Sequence, residues 1–410
     1  MLPRFARRFL LVFAVLISFP SPLSYLPGLD DLSQWIDKLW APLISWVGDH
    51  VLRLAEPITA LPNGSGDTTF NYVELLVFAT FAIAIAALWT SLDRRRDDAR
   101  LVAWTRYYIA LVLGLAMLLY GLDKVLLLQF DDLAPSDLAR PLGRYTPFAM
   151  LWALVGWSHP YQFIVGCFEV LGGALVLFRP TVRVGALVLV PVLFNVVLFN
   201  LCFDVPVKLY STQLLGLTAV LIAPDVRRLI DVIVLRRPPK PEVPDVPLLR
   251  ASWAPRATFV CSALWLVVGT GSLIYSMTST LAHRAEDADS PLIGSFRAVA
   301  ATTGRQWRLV SIDSRTAMVI ERDDGSVTAF SMKTDFAKHT LVLDAEHDAK
   351  WTLTYAQPAP AILVLDGAVE GEAIHLQLRR VDPRQQRLAN WYVHAVHENV
   401  PEQDQLPDGE

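Results

Sequence analysis

The stretch Val182–Ser211, VRVGALVLVPVLFNVVLFNLCFDVPVKLYS, decides the fold class. It is apolar over a bilayer's width, turns at Asp204, Val205 and Pro206, and then begins a second apolar run. A hydrocarbon core about 30 Å thick takes about twenty apolar residues as a helix, so the stretch reads as two membrane spans joined by a tight turn. Four polar side chains interrupt it: Asn195, Asn200, Asp204 and Lys208. A charged group at membrane depth costs roughly 2.5 kcal/mol or more unless it faces protein, water or a partner. Asparagines in spans also hydrogen-bond neighbouring helices, at about 0.6 kcal/mol each, so Asn195 and Asn200 fit packing as well as a site. The acid and base at the turn favour a site.

The composition agrees with a lipid environment. Of 410 residues, 53% are hydrophobic and 19% charged, too apolar a balance for an ordinary soluble domain. A net charge of -4, with basic residues in short clusters beside apolar runs, excludes a nucleic-acid partner and makes the lipid bilayer the first partner. Cys167, Cys202 and Cys261 fall in apolar runs without CxxC spacing, which excludes an encoded dithiol or a thiolate metal site.

Towards the amino end, Glu169 sits between Gly166 and the pair Gly172 and Gly173 in an apolar run from Tyr161 to Phe178. Residues three or four apart share a helix face, so the face carrying Glu169 lacks bulk, a second backbone can approach, and Glu169 points into the bundle. Burial then predicts a protonated Glu169, unless Lys124 or Lys208 comes close. The preceding span, Leu101 to Leu128, carries Tyr120 and Lys124 on one face and closes with Gln129. Trp152 and Trp157 predict a short boundary helix between these two spans.

A further span runs from Phe70 to Leu92 and ends in Arg94, Arg95 and Arg96. Before it, NGSGDTT (63–69) predicts a loop and a helix cap at Asp67, Thr68 or Thr69, with no lysine to make it a phosphate loop. Helical spacing of Trp35, Trp40, Val47 and other apolar residues predicts an amphipathic helix over Asp31–Leu54, lying on the membrane surface or packed on the bundle and broken at Pro42. Arg4, Arg7 and Arg8 precede an apolar run, Phe9–Phe19, with no clean cleavage site after it, so it is read as a retained first span.

Past the central hairpin, Arg236–Arg256 is a proline-rich linker and Thr258–Met277 a last span. Arginine-rich ends alternate with poorer ones, which predicts about seven spans, a cytoplasmic amino terminus and an exported carboxyl domain. From Ser290 on, period-two runs begin at Trp307, Thr316, Thr340, Trp351, Ala361, Ala373 and Trp391, with Asp324-Gly and Asp366-Gly as turn signals. They predict a small all-β sandwich or barrel. His394 and His397 lie three apart, on opposite faces of a strand, and make no metal site.

The expected organisation is therefore a first span and interfacial helix over 1–62, a helical bundle over 63–235, a linker over 236–256, a last span over 257–279, an extracytoplasmic β domain over 290–400 and a tail over 401–410. The runs YGLDKVLLLQF (120–130), EVLGGALVLFRPT (169–181) and Asn195–Ser211 with its FDVPVK turn resemble the DoxX/DoxD-like family of bacterial membrane proteins. The resemblance covers roughly Asn63 to Asp225 and implies a four-helix membrane core in the bacterial inner membrane. Better-understood relatives are small subunits of thiosulfate:quinone oxidoreductases, and many members have no assigned activity. The β domain also resembles an extracytoplasmic domain fused to some members, except that those end in an aromatic-His-Trp motif and this chain has Trp391-Tyr-Val-His.

Together these residues predict a polar, outward-opening cavity. Glu169 and Tyr120 are the candidate proton-transfer groups, and Lys124, Gln129, Asn195, Asn200, Asp204 and Lys208 the candidate ligand contacts. Two lysines around one aspartate would leave a positive charge for an anionic or carbonyl-bearing ligand. No redox cofactor is encoded, so a quinone-linked subunit would draw electrons from its substrate or from a soluble redox partner. The alternative is a non-catalytic binding, transport or scaffold protein whose β domain recruits a partner.

Overall fold

The structure, a computed structural model, describes residues 3–26, 28–29, 31–58, 65–93, 98–238, 248, 251–288, 290–301, 307–344, 350–369 and 371–381. Two compact units divide the chain, one helical (Met1–Phe130, Thr146–Val155, His159–Ala285) and one built on strands (Asp131–Tyr145, Gly156–Ser158, Glu286–Glu410).

The helices run in order as α1 (Arg4–Ser18), α2 (Leu32–Trp46), α3 (Thr69–Leu92), α4 (Ala99–Val125), α5 (Pro135–Ala139), α6 (Pro147–Trp157), α7 (His159–Leu177), α8 (Val182–Cys202), α9 (Lys208–Leu229) and α10 (Ala254–Ala288). Among the described residues five of them, α3, α4, α7, α8 and α10, are long and apolar enough to cross a membrane. The seven spans expected from sequence included two more. With 15 residues, α1 reaches about 22 Å, short of a hydrocarbon core of about 30 Å. Helix α9 is long enough, but Lys208, Asp225, Arg227 and Arg228 at its two ends dilute its apolar character.

Arg8 explains how α1 is held. Its side chain is fully buried and donates to the Trp89 carbonyl at 2.8 Å, to Asp93 at 3.0 Å and to Asp98 at 3.2 Å, while Arg7 reaches Asp98 at 3.0 Å. Basic residues that look like a topology signal in sequence thus clasp the ends of α3 and α4. Burial pushes the Asp98 carboxyl up, but hydrogen bonds from Arg7 and Arg8 outweigh it and hold the group below its usual range.

Pro42 does not break α2, contrary to expectation; the helix continues through it into a π-turn, Val47–Leu52. One lost backbone bond is offset by packing on both sides of it, with Ile44 buried and Trp40 edge-on to Phe78 and Phe81 at 5.1 and 5.6 Å. Trp35 and Leu39, each 71% exposed, occupy the other face. So the helix packs on α3 with one side and keeps an aromatic, membrane-compatible side free.

Helices α4 and α7 form the centre of the bundle through paired glycines. A Cβ at Gly166 would sit 2.8 Å from the Gly121 carbonyl, and one at Gly173 would sit 2.9 Å from the Gly114 carbonyl. Only glycine at these positions lets the two backbones approach so closely.

The second unit is a closed antiparallel barrel of eight strands in sequence order: β1 (Gly294–Ala301), β2 (Trp307–Ser314), β3 (Ala317–Arg322), β4 (Val327–Asp335), β5 (Thr340–Asp344), β6 (Lys350–Ala359), β7 (Ile362–Val369) and β8 (Glu372–Arg380). β8 pairs with β1 to close it. Alternate residues such as Trp351, Leu353 and Tyr355 on β6 turn inward and pack with Phe296, Trp307 and Phe330. A barrel filled by side chains, not a sandwich, is the outcome. Strands β1 and β4 escaped the period-two pattern, and the Trp391 run with His394 and His397 lies outside the described residues. Asp324-Gly325 forms the expected turn, with Gly325 at φ 79, but Asp366-Gly367 lies within β7, where Leu353 packs too closely for a side chain at Gly367.

Residues 131–145 belong to the barrel unit. Ser136 donates through its amide and hydroxyl to the two Asp313 oxygens at 2.9 and 2.6 Å, and Arg144 pairs with Glu321 at 3.1 Å. Burial pushes the Asp313 carboxyl up, opposed by the two bonds from Ser136.

Candidate functional site

Glu169 is 1% exposed in the middle of α7, as the glycine pattern around it predicts. Facing it across the glycine contact is Lys124, also buried, whose Nζ donates to Oε2 at 2.7 Å. Of the two lysines that the sequence offers Glu169, Lys124 is the one within hydrogen-bond reach. Tyr120, one turn back on α4, holds its ring 5.8 Å from Lys124 Nζ.

The pair borders a cavity of about 90 Å³ between α4, α6, α7, α8 and α9. That volume accepts several waters but falls below the roughly 300 Å³ of a typical ligand pocket. Its wall is mostly apolar and aromatic, with Phe130, Trp152, Tyr161, Phe199 and Tyr210 around the polar groups. Tyr120, Lys124, Gln129, Glu169, Asn195 and Asn200 all line it, as the sequence predicts. Gln129 Oε1 is buried there without a hydrogen-bond partner among the described residues. A buried acceptor left unpaired costs roughly 1–3 kcal/mol, so this atom calls for a donor from water or a ligand.

Three of the expected contacts work differently. Asn200 donates to Ser211 Oγ at 2.9 Å, which ties α8 to α9 and makes it a fastener of the hairpin. Asp204 and Lys208 do not line the cavity: Asp204 stands at φ 56 in the turn with its side chain 83% exposed, and it pairs with Lys208 at 2.7 Å. Nor do two lysines share one aspartate. Lys208 lies between Asp204 and Asp67, 3.7 Å from the latter, while Lys124 belongs to Glu169.

Of the three caps that the sequence offers α3, Asp67, Thr68 and Thr69, the structure uses the second. Thr68, not Asp67, caps α3, in a reciprocal box with Asn71. Asp67 instead accepts from the Lys208 and Leu209 amides at 2.7 and 2.9 Å and so caps α9 from a distant loop. Gln162 was missed altogether. Fully buried in the first turns of α7, it accepts from the Phe130 amide at 3.3 Å and donates to the Phe130 carbonyl at 3.2 Å, which fixes the chain that carries Gln129. A glutamine near the start of an otherwise apolar span was the available signal.

Cys167 and Cys202 are separate free thiols, both on exposed surface, and form no crosslink. Among the described residues no three His, Cys, Asp or Glu side chains gather as a metal site.

No protein-family pattern matches the chain, and no solved structure matches it. Over 118 residues it is 34% identical to the uncharacterized protein YwoB of Bacillus subtilis (strain 168), a match spanning 29% of this chain and 75% of that protein. The chain belongs, through that segment, to the same family as YwoB.

Proposed function

We propose that the helical unit binds a flat, carbonyl-bearing amphiphile of the quinone class next to the Lys124–Glu169 pair, as a subunit of a membrane oxidoreductase. The observation that carries this reading is one cavity holding three features together: a buried ion pair, an unpaired Gln129 acceptor and an aromatic wall. Aromatic side chains suit the faces of a ring, the ammonium suits a carbonyl oxygen, and Gln129 Oε1 suits a hydroxyl of the reduced form.

Access fits a ligand dissolved in lipid. Asn195 lines the cavity yet is exposed, and its neighbours Phe194 and Leu198 are exposed on the same helix. In a bilayer that surface of α8 meets hydrocarbon, so the ligand enters from the side. Reduction of a quinone takes up protons as well as electrons. A Lys–Glu pair at hydrogen-bond distance can hand one proton to a ligand oxygen and recover it from solvent, while the electrons come from a partner or a co-substrate.

The motif runs around Tyr120, Glu169 and Asp204 support placing the core with the DoxX/DoxD-like membrane proteins. On the same reading the chain has about seven spans in a bacterial inner membrane, with the apolar amino-terminal segment that α1 begins and α9 completing the five long apolar helices, and with the barrel exported.

Purification in a mild detergent, followed by mass spectrometry of the extracted lipids, tests the reading. Ubiquinone or menaquinone is expected above the level of a control membrane protein, and it should be lost in Lys124→Met. Equal quinone in the variant and in the control would overturn it.

A further inference from the structure

A second, larger cavity adjoins the first. It measures about 390 Å³, within the range of ordinary ligand pockets, and lies between the amino-terminal halves of α3 and α9. Tyr120, Val207 and Tyr210 border both cavities, and the two tyrosine rings stand 6.1 Å apart as a partition. Of the site residues expected from sequence, Tyr120, a candidate proton-transfer group, is the one that lines it.

The chemistry of its wall is one-sided. Glu74 is the one carboxylate among the described lining residues, and no lysine, arginine or histidine joins it there. Asn71 hydrogen-bonds Glu74, and Asp37 of α2 adds negative charge nearby. Asn71 Oδ1 is already taken by the Thr68 amide and hydroxyl, at 3.1 and 2.6 Å, so that amide is oriented by the cap of α3. The nearest base in sequence to the lining, Lys208, is held by Asp204 and Asp67. The rings of Phe78, Tyr120 and Tyr210 line the same cavity.

We propose that this second cavity is a binding site for an alkylammonium group, with Glu74 as its counter-ion and Phe78, Tyr120 and Tyr210 as its aromatic wall. Aromatic faces attract a cation whose charge is spread over methyl groups, and the carboxylate supplies the opposite charge. A metal ion is the poorer fit, because hard cations require about six oxygens, usually from several carboxylates, and Glu74 is the one carboxylate among the described lining residues. The site stands apart from the quinone reading of the first cavity. The ammonium can belong to a free amine or to a choline-type lipid headgroup, which present the same chemistry.

Thiol labelling separates the outcomes. With Cys167, Cys202 and Cys261 replaced by serine, Gln213→Cys places a reporter in the cavity wall, and Leu209→Cys serves if the first variant does not fold. Labelling by methyl methanethiosulfonate, which is neutral, is followed with and without tetramethylammonium in maltoside micelles. Tetramethylammonium should slow labelling at least about tenfold, a ratio that corresponds to 1.4 kcal/mol, with Glu74 present, and not in Glu74→Gln. Nanodiscs of phosphatidylcholine, compared with phosphatidylglycerol, identify the source: slower labelling in the former points to the lipid headgroup, equal rates to a free amine. No protection by tetramethylammonium, equal protection in Glu74→Gln, or a reporter that reagent never reaches would each overturn the proposal.

Discussion

Lys124→Met removes the positive half of a pair whose members are 7% and 1% exposed and whose charged atoms lie 2.7 Å apart. Breaking such a pair typically costs 3–5 kcal/mol, because it strands the remaining charge. The adjoining cavity of about 90 Å³ admits water to the lysine side, which places the expected loss near the lower end, about 3 kcal/mol. Glu169→Gln should cost less, since a neutral amide can remain at that site without a counter-charge. The double variant Lys124→Met/Glu169→Gln should cost clearly less than the sum of the two single losses, because the neutral amide leaves no charge stranded when the lysine is gone. Reversible unfolding of the four proteins in mixed micelles supplies the cycle. A coupling energy of about 2 kcal/mol is expected; if the two single losses simply add, within about 0.5 kcal/mol, the pair does not act as a unit and the reasoning fails.

The two aspartates near Lys208 should separate cleanly. Asp67→Ala should lower stability by about 1–2 kcal/mol through the lost cap of α9, whereas the exposed Asp204→Asn should stay within about 0.5 kcal/mol, and the opposite order in chemical denaturation would refute the assignment. Gly166→Leu should push α4 and α7 apart and lower stability by about 1–3 kcal/mol, read as a fall in thermal midpoint, with Gly216→Leu, where open space surrounds the backbone, as the tolerant control. The Asp98 carboxyl lies below its ordinary value of 3.8. Its contribution to holding α1 is therefore complete above that value and disappears as pH falls through the lower, folded-state one, so hydrogen exchange along α1 should accelerate only in that acid range and not near neutrality. A phosphatase reporter fused after Glu410 should be active on the exported side of the membrane, and activity of a cytoplasm-only reporter at the same point would reverse the orientation.

The fold was legible where a repeating pattern is strong. Apolar runs located α3, α4, α7 and α8 within a few residues, because a lipid-facing helix must be apolar around its circumference, whereas α10 continues past the apolar run expected to end at Met277 through the polar residues up to Ala288. The barrel strands were legible where large inward residues alternate, as at Trp351, Leu353 and Tyr355, and illegible in β1, where small residues leave no contrast. Pro42 misled because a proline's local penalty is visible in sequence, while the burial of Ile44 and the edge-on packing of Trp40 that offset it depend on a partner helix.

The candidate site divides along the same line. Glu169 could be placed inside the bundle from its own helix alone, since Gly166, Gly172 and Gly173 share its face, and Lys124 could be placed at a matching depth. Which lysine meets which acid was not legible: Lys124 with Asp204, with Glu169, or with both fits the sequence equally. The structure decides it through the Gly121–Gly166 contact, which brings α4 against α7 at the level of Lys124 and leaves the hairpin turn to Asp67. Asp67 and Lys208 are 141 positions apart, and no periodicity links a loop residue to a helix end that far along the chain. Charge neutrality then follows from geometry, pair by pair. Among the described residues the first cavity is lined by one lysine and one glutamate, which matches the neutral ligand with polar atoms proposed for it, whereas the second has Glu74 as its one carboxylate, which matches the proposed cation. On these two proposals, neighbouring cavities that share a tyrosine wall differ in ligand class through the position of a single amine.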